Sequence, residues 1–580
     1  MRSQTIKGKN PDSKAPGVRA MAKTITFKFD GRTITARDGQ SVAAALGAAG
    51  VTAFRATAKG SRRGVFCGMG VCQDCLVTID GTPDRRACMT AAREGLCVKP
   101  QPGRRVLADG APDRAAAPAR ELTPDVLVVG GGAGGLSAAI AARAAGASVL
   151  VVDERKVGGG QYYKQSADGS RIDGQQAEGA ALIAEAEASG ARMLGRVEIW
   201  GAFAGPLFFA ECEGEALVIR PRTVIVATGA YERPRMVPGW TLPGVMTTGA
   251  AQTFWRSYGT LPGRRVVFCG SGPLNLQVAL ELASGGARLG MVAERAPSPL
   301  LSPFRGAAMV LAGPGLSIKG IRMKTALAMR GIPFRYRTSL ARVDQAGDGL
   351  MAVFRGDSGR ETRVETDIVC MNEGFEPQNE LLRLLGAGFS YDADVGHLRC
   401  GRDDTMETSV PGVFAVGDCA GLGGAPAARV EGRIAGRAAA ERAGFAAGPA
   451  AARDLRDAKR ELQRHRRFQS LLWQLHDVSP RDAATISDET VLCRCEEVTF
   501  GDVRRSLRKV PGHAGGVKRS TRVGMGACQG RYCGPVAARL AAEAASAPVD
   551  ERAFFAPRVP VKPVSISSIC AVHDLLGDDA

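Results

Sequence analysis

Eight of the fifteen cysteines fall into two tight sets, and both sets sit on glycine-rich stretches. The first is Cys67, Cys72, Cys75 and Cys88, spaced C-x4-C-x2-C-x12-C within GVFCGMGVCQDCLVTIDGTPDRRAC. C-x4-C-x2-C with a more distant fourth cysteine is a known [2Fe–2S] ligand spacing. Gly64, Gly68 and Gly70 let such a loop wrap an inorganic core and turn backbone N–H groups toward its sulfurs. The alternatives are a zinc site and a Cys72/Cys75 thiol pair of the thioredoxin kind; the second lacks the βαβ surroundings it needs. Cys97 lies outside the pattern. The second set is Cys493 and Cys495, then 32 residues, then Cys528 and Cys533, spaced C-x-C and C-x4-C. Four cysteines in two close pairs predict a metal centre, and their spacing leaves zinc and iron–sulfur equally open.

A third chemistry is written in residues 125–139, DVLVVGGGAGGLSAA. An apolar β-branched run meets a glycine turn and then helix-favouring residues. The glycines read G-x-G-x-x-G at Gly130, Gly132 and Gly135. Gly130 suits the tight turn, Gly132 the close approach of a pyrophosphate, and Gly135 close packing of helix on strand. The helix N-terminus then faces the phosphates with free N–H groups. A second strand ends in Asp153, 23 residues after Gly130, where a ribose hydroxyl needs an acceptor. The loop of Gly158, Gly159, Gly160 and Gln161 can approach the same ligand. TVIVATG, residues 223–229, reads as a buried strand ending at Thr228 and Gly229. In SVPGVFAVGDCAGLGG, residues 409–424, another strand ends at Gly417 and Asp418, with a bare helix N-cap as the plain reading of Asp418.

Residues 262–295 repeat strand, turn, helix and strand with a defective fingerprint. Gly270 and Gly272 are present, but Asn275 takes the third glycine's place. Glu294 ends the second strand and suits a ribose hydroxyl better than a 2′-phosphate. Nucleotide binding and a retained but empty fold stay open as alternatives.

The elements that must position these groups follow from the rest of the chain. At 580 residues it should hold about three to five domains. It is 45% hydrophobic but only 5% aromatic, which predicts an aliphatic core. The formal charge of +18 is spread along the chain without a helix-turn-helix or zinc-finger spacing, so nucleic acid is excluded as a partner. Clustered cysteines predict a reducing, cytoplasmic setting, with peripheral attachment at the inner membrane face left open. Residues 1–22 are polar and basic, are not a signal peptide, and are expected to be disordered. Residues 126–152 contain Arg143 and a Rossmann glycine pattern, which excludes a membrane span. TITFKFDGRTITA predicts two strands about the turn Asp30-Gly31. Residues 103–122 read as a linker, 450–489 as a polar, basic helical linker, and 548–580 as an extended tail that docks on another surface.

Taken together, these segments resemble the α subunits of bacterial opine oxidases and their relatives, hydrogen cyanide synthase, the proline and hydroxyproline dehydrogenases and sarcosine oxidase. DVLVVGGGAGGLSAA, VDERKVGGGQYY, IVATGAYERP and SVPGVFAVGDCAG carry the likeness in the core. FCGMGVCQDC is similar to the small ferredoxin that many relatives carry as a separate γ chain, and CRCEEV with GACQGRYC to the bacterioferritin-associated ferredoxin domain.

The resemblance implies a multidomain α/β chain with a glutathione reductase-like, two-dinucleotide-fold flavoprotein core. It implies a β-grasp-like ferredoxin domain over 23–102 and a small helical [2Fe–2S] domain over 490–547. The FAD-binding domain is expected over 123–261 and 351–449, with the second dinucleotide fold at 262–350. FAD is expected on Gly130, Gly132, Gly135 and Asp153, with Gly160, Gln161, Thr228 and Gly229 close by and Gly417 and Asp418 at the ribityl–pyrophosphate region. Both cysteine sets are implied to hold [2Fe–2S] clusters.

Amino-acid oxidation is implied on a separate FAD-bearing β subunit, with an FMN between subunits in many such complexes and a quinone or electron-transfer protein as acceptor. No residue of this chain is singled out as a general acid or base. The sarcosine oxidase α subunit continues into a folate-binding domain that does not follow here, and the redox disulfide of glutathione- or thioredoxin-type reductases is missing. Two other functions compete: an NAD(P)H-dependent reductase, and a non-enzymatic iron-carrying scaffold.

Overall fold

The computed structural model describes residues 23–103, 117–170, 172–446, 451–480, 482–512 and 514–576. The expected disorder of residues 1–22 and most of the expected linker 103–122 lie outside the described residues.

Apolar residues at every second position make Thr24–Phe29 a half-buried strand, with Ile25, Phe27 and Phe29 inside. It pairs antiparallel with Arg32–Arg37 across Asp30 and Gly31, both in the left-handed region, as a two-residue hairpin turn requires. Cys97–Pro100, Leu76–Ile79 and Thr82–Arg86 complete a five-stranded sheet, against which Val42–Ala48 packs as a buried helix. The cysteine loop of residues 67–75 leads into strand Leu76–Ile79 of this sheet.

The core holds two parallel sheets. In the first, Val126–Val129 lies between Val149–Asp153 and Thr223–Val226, with Arg192–Gly195 and Val413–Ala415 at the edges. Val126–Val129 is buried on both faces, which explains its unbroken apolar run. Each such Val or Leu contributes about 1.5–3 kcal/mol of burial. Helix Ala133–Ala144 crosses Gly424–Arg442 closely enough that a Cβ at Gly432 would meet Gly134 O at 2.1 Å.

The second sheet runs Val245–Thr247, Ile368–Asn372, Arg265–Gly270, Arg288–Glu294, Phe334–Arg335. This corrects the expected boundaries 262–350. Val245 pairs with Val369 and Val266 with Ile368, so the second fold takes in strands on both sides of that range. Sequence order concealed this, because the two flanking strands are adjacent only in space.

Two further segments differ from expectation. The stretch expected as a helical linker contains the long helix Ala451–His476, which buries Leu462, Phe468 and Leu475 and lays its C-terminal end on the second fold. The tail docks on this chain itself. Val561 N donates to Trp200 O at 2.9 Å, and helix Ile566–Leu576 buries Ala571 and Val572 against the sheet of Val197–Phe203, Leu207–Cys212 and Glu215–Ile219. Its alternation of Val and Pro marked an extended segment but not the surface that receives it.

Candidate functional site: a glycine-rich cradle bordered by two cysteine loops

The glycine turn after Val126–Val129 is as tight as its sequence requires. Gly130 has φ 110°, and a Cβ there would lie 2.4 Å from Ala227 O. A Cβ at Gly135 would fall 1.8 Å from Gly130 O, so this glycine sets how closely helix and strand approach. A Cβ at Gly132 would meet nothing nearer than Gly160 Cα at 3.9 Å, because that side faces an open cavity. The loop of Gly158, Gly159 and Gly160 folds over the turn, with Gly159 N donating to Gly131 O at 2.7 Å.

The cavity has a volume of about 880 Å³, room for a dinucleotide. Gly130, Gly132, Asp153, Gly160, Gln161, Thr228, Gly229, Gly417 and Asp418 all line it; Gly135 alone of the expected residues stands behind the wall. Asp153 accepts from Gly131 N and Arg155 N, each at 2.7 Å. Burial raises its carboxyl above the ordinary range against those donors. Asp418 accepts from Gly423 N at 2.9 Å and Gly424 N at 2.8 Å, so it caps the turn before the following helix and borders the cavity at once. Thr228 donates to Gln378 O at 2.6 Å.

A buried polar pair on the cavity wall escaped the sequence reading. Lys164 Nζ donates to Gly249 O at 2.9 Å and Gln252 Oε1 at 3.1 Å. Glu232 beside it accepts from Gly249 N at 2.6 Å and Asn372 Nδ2 at 2.8 Å. Burial, helped by Arg155, brings the Lys164 ammonium down to about 7. No local motif marks either residue.

Both cysteine sets converge. Cys67, Cys72, Cys75 and Cys88 are buried, and their thiols pair as Cys67 with Cys72 and Cys75 with Cys88. Cys72 N points at Cys67 Sγ from 3.3 Å. Burial opposes ionisation of Cys67, yet the Cys72 thiol and the amides of Met69, Cys72 and Val71 bring it down to about 6. In the second set Cys495 Sγ lies 3.5 Å from Cys528 Sγ, and Cys493 touches Cys495 and Cys533. Among the described residues no three His, Cys, Asp or Glu side chains are set for a single ion. A two-iron core takes two thiolates per iron, so thiols gathered in pairs fit it. Cys97 is exposed and stands apart from both sets.

The two ligand loops touch. Phe66, next to Cys67, meets Tyr532, next to Cys533, edge to face at 5.3 Å, and Trp240 at 5.7 Å. Arg494, between Cys493 and Cys495, lies 4.0 Å over the Phe66 ring. Both loops also reach the cavity: Met69 and Val71 line it from the first, Arg531 from the second.

The second glycine turn borders the same cavity through Ser271, Gly272, Pro273 and Leu274. Gly270 and Gly272 take positive φ, and Asn275 fits the third position by bonding, its Oδ1 accepting from Thr248 Oγ1 at 2.6 Å. Glu294 is not free for a ribose. It accepts from Ser271 Oγ at 2.6 Å, Gly272 N at 3.1 Å and Ala296 N at 3.0 Å, and His476 Nδ1 lies 3.1 Å from it. Trp473 stands over Gly272 from the same helix end.

Comparison with known proteins agrees with this layout. Residues 124–444 match the pyridine nucleotide-disulphide oxidoreductase model, 22–103 the 2Fe-2S iron-sulfur cluster binding domain, and 491–543 the BFD-like [2Fe-2S] binding domain. The first of these implies FAD and the other two imply 2Fe-2S clusters. The opine oxidase A subunit of Rhizobium meliloti (strain 1021) is 35% identical over 353 residues, which is 60% of this chain and 76% of the relative. The hydrogen cyanide synthase subunit HcnA of Pseudomonas aeruginosa is 41% identical over 80 residues, 14% of this chain and 77% of the relative. The solved L-proline dehydrogenase from P. horikoshii shares the fold with a TM-score of 0.72 at 18% identity, over 95% of this chain and 98% of that one. Among the described residues no helix is long and apolar enough to cross a membrane. The core match runs through more than half of the chain, and on it the chain belongs to the pyridine nucleotide-disulphide oxidoreductases and, within them, to the family of the opine oxidase A subunits, as a flavin and iron–sulfur oxidoreductase.

Proposed function

We propose that this chain is the electron-transfer α subunit of a heteromeric dehydrogenase or oxidase acting on opines, proline, hydroxyproline or related secondary amines. The amino acid is oxidised on a separate FAD-bearing β subunit of the amine-oxidase-like class, with an FMN held between the two. The final acceptor is a quinone or an electron-transfer protein. The carrying observation is that one cavity is walled by the flavin turn and by both cysteine loops, through Met69, Val71 and Arg531.

Gly130, Gly132, Gly135 and Asp153 hold the ADP half of FAD in this reading. Gly160, Gln161, Thr228 and Gly229 flank it, and Gly417 and Asp418 meet the ribityl–pyrophosphate region. Cys67, Cys72, Cys75 and Cys88 ligate one [2Fe–2S] cluster, and Cys493, Cys495, Cys528 and Cys533 the other. Bound FAD takes two electrons together and gives them up singly, and iron–sulfur clusters carry one at a time. The chain's own work is to orient, to exclude water and to hold charge. The Phe66, Trp240 and Tyr532 rings pack the space between the ligand loops, and Lys164 keeps a titratable cation at the cavity wall. Nothing in this role requires a general base.

Nicotinamide entry at the second fold is disfavoured, because Glu294 already has four neighbours. The test is activity with a dye as acceptor. The purified chain should leave opines and secondary amino acids unoxidised, and adding the β subunit should restore dye reduction. Substantial amino-acid dehydrogenase activity from the single chain would overturn this reading.

A further inference from the structure

Two residues of the C-terminal segment, Val561 and Lys562, line the flavin cavity. They reach it because the segment is fixed on both sides. Upstream, Arg531 Nη2 of the second cysteine loop donates to Val561 O at 3.1 Å, and Arg531 also pairs with Glu380 at 3.0 Å. Downstream, the hydroxyls of Ser565 and Ser568 both donate to Glu211 Oε2 at 2.7 Å, and Ala571 and Val572 bury themselves beyond. Lys562 itself is only 13% exposed and forms an ion pair with Glu154, the residue after Asp153. Asp153 and Arg86 are the other charged groups nearest to it.

Glu154 answers the charge of the buried lysine, and the pair leaves the ammonium at the cavity wall next to Asp153. At the adenosine end of the cradle, Asp153 and Glu154 put two carboxylates on the wall of a cavity whose ligand itself carries two phosphates. The backbone amides of the glycine turn supply only partial positive charge there.

We propose that Lys562 is a ligand of the ADP half of the dinucleotide, and that the C-terminal segment completes the cofactor site as a clamp laid over it. The inference rests on the flavin reading of the cavity and adds to it a binding residue that lies outside the dinucleotide-fold match, which ends at residue 444. Because Arg531 ties the clamp to the second cysteine loop, the adenosine end of the site and that loop are mechanically joined.

The experiment uses full-length protein with its clusters intact and its flavin removed, titrated separately with FAD, ADP and riboflavin. Lys562→Met should weaken FAD and ADP by the same factor, about tenfold or more for one lost charge-assisted hydrogen bond. Riboflavin binding should not change, Lys562→Arg should recover most of the affinity, and the paramagnetic signals of both clusters should stay as in the wild type. FAD affinity within about twofold of wild type in Lys562→Met would overturn the proposal. So would an equal loss for riboflavin, which would mark a collapsed cavity. Wild-type protein that binds no FAD at all would instead remove the flavin reading, and the clamp with it.

Discussion

Arg494 and Asp74 bind the two cysteine loops to each other: Arg494 Nε lies 2.6 Å from Asp74 Oδ2, with the two side chains 4% and 1% exposed. Each residue sits between cysteines of its own set, Asp74 between Cys72 and Cys75, Arg494 between Cys493 and Cys495. Asp74 holds Arg55 as well, at 2.9 Å, and Arg494 Nη1 donates to Trp240 O at 2.8 Å. The pair therefore ties the first 100 residues to the last 100 at a contact between the two cysteine loops.

Breaking this pair should destabilise both ends together. Removing one partner of a buried ion pair leaves the other uncompensated and costs about 3–5 kcal/mol. Arg494→Met should lower the denaturant midpoint for loss of both cluster absorbances. If only one cluster becomes labile, or the midpoint stays where it was, the two loops are not coupled through this contact.

The same pair predicts a pH dependence. Burial pushes the Asp74 carboxyl up, but Arg494 and Arg55 outweigh it and leave it below the ordinary aspartate range. A folded-state value below the unfolded one means stability is fully present above about pH 4 and is lost as pH falls through the depressed value. The stability difference between wild type and Asp74→Asn should be flat near neutrality and shrink only below about pH 4. A difference that changes between about pH 6 and 8 would assign the effect to another group.

Two clusters of two irons each predict about four iron and about four sulfide per chain, with two distinguishable paramagnetic signals on reduction. Cys72→Ser should remove one signal and leave the other, since Cys72 pairs with Cys67 and with none of the second set. Zinc at either set would refute the assignment there.

Gly132 offers a clean test of the flavin cradle. Its Cβ direction opens on the cavity with φ −82°, so a side chain is tolerated by the fold and obstructs only the ligand. Gly132→Val should fold, keep both cluster signals and lack FAD. Full flavin occupancy in this variant would show that the dinucleotide lies elsewhere.

The second fold predicts an absence of reaction. Anaerobic mixing with NADH or NADPH should leave the flavin absorbance unchanged, because Glu294 is committed to Ser271, Gly272, Ala296 and His476. Rapid bleaching would require the end of helix Ala451–His476 to move off the turn.

The local chemistry of this protein was legible in its sequence because it depends on short spacings. A G-x-G-x-x-G turn, a C-x4-C-x2-C loop and an Asp30-Gly31 hairpin are each dictated by steric limits on a few consecutive residues. The turn and the hairpin take the backbone conformations those residues require, and the loop gathers its thiols in pairs. Pairings between distant segments were not legible. Val245 beside Val369, Glu294 under His476, Lys562 beside Glu154 and Arg494 on Asp74 join residues 124, 182, 408 and 420 positions apart. No local pattern marks such partners, because an isolated Asp, Arg or Lys reads the same on a solvated surface and in a buried pair. Only the packed chain, which removes water from these groups and leaves them to be answered by the neighbours it brings, decides which of them meet.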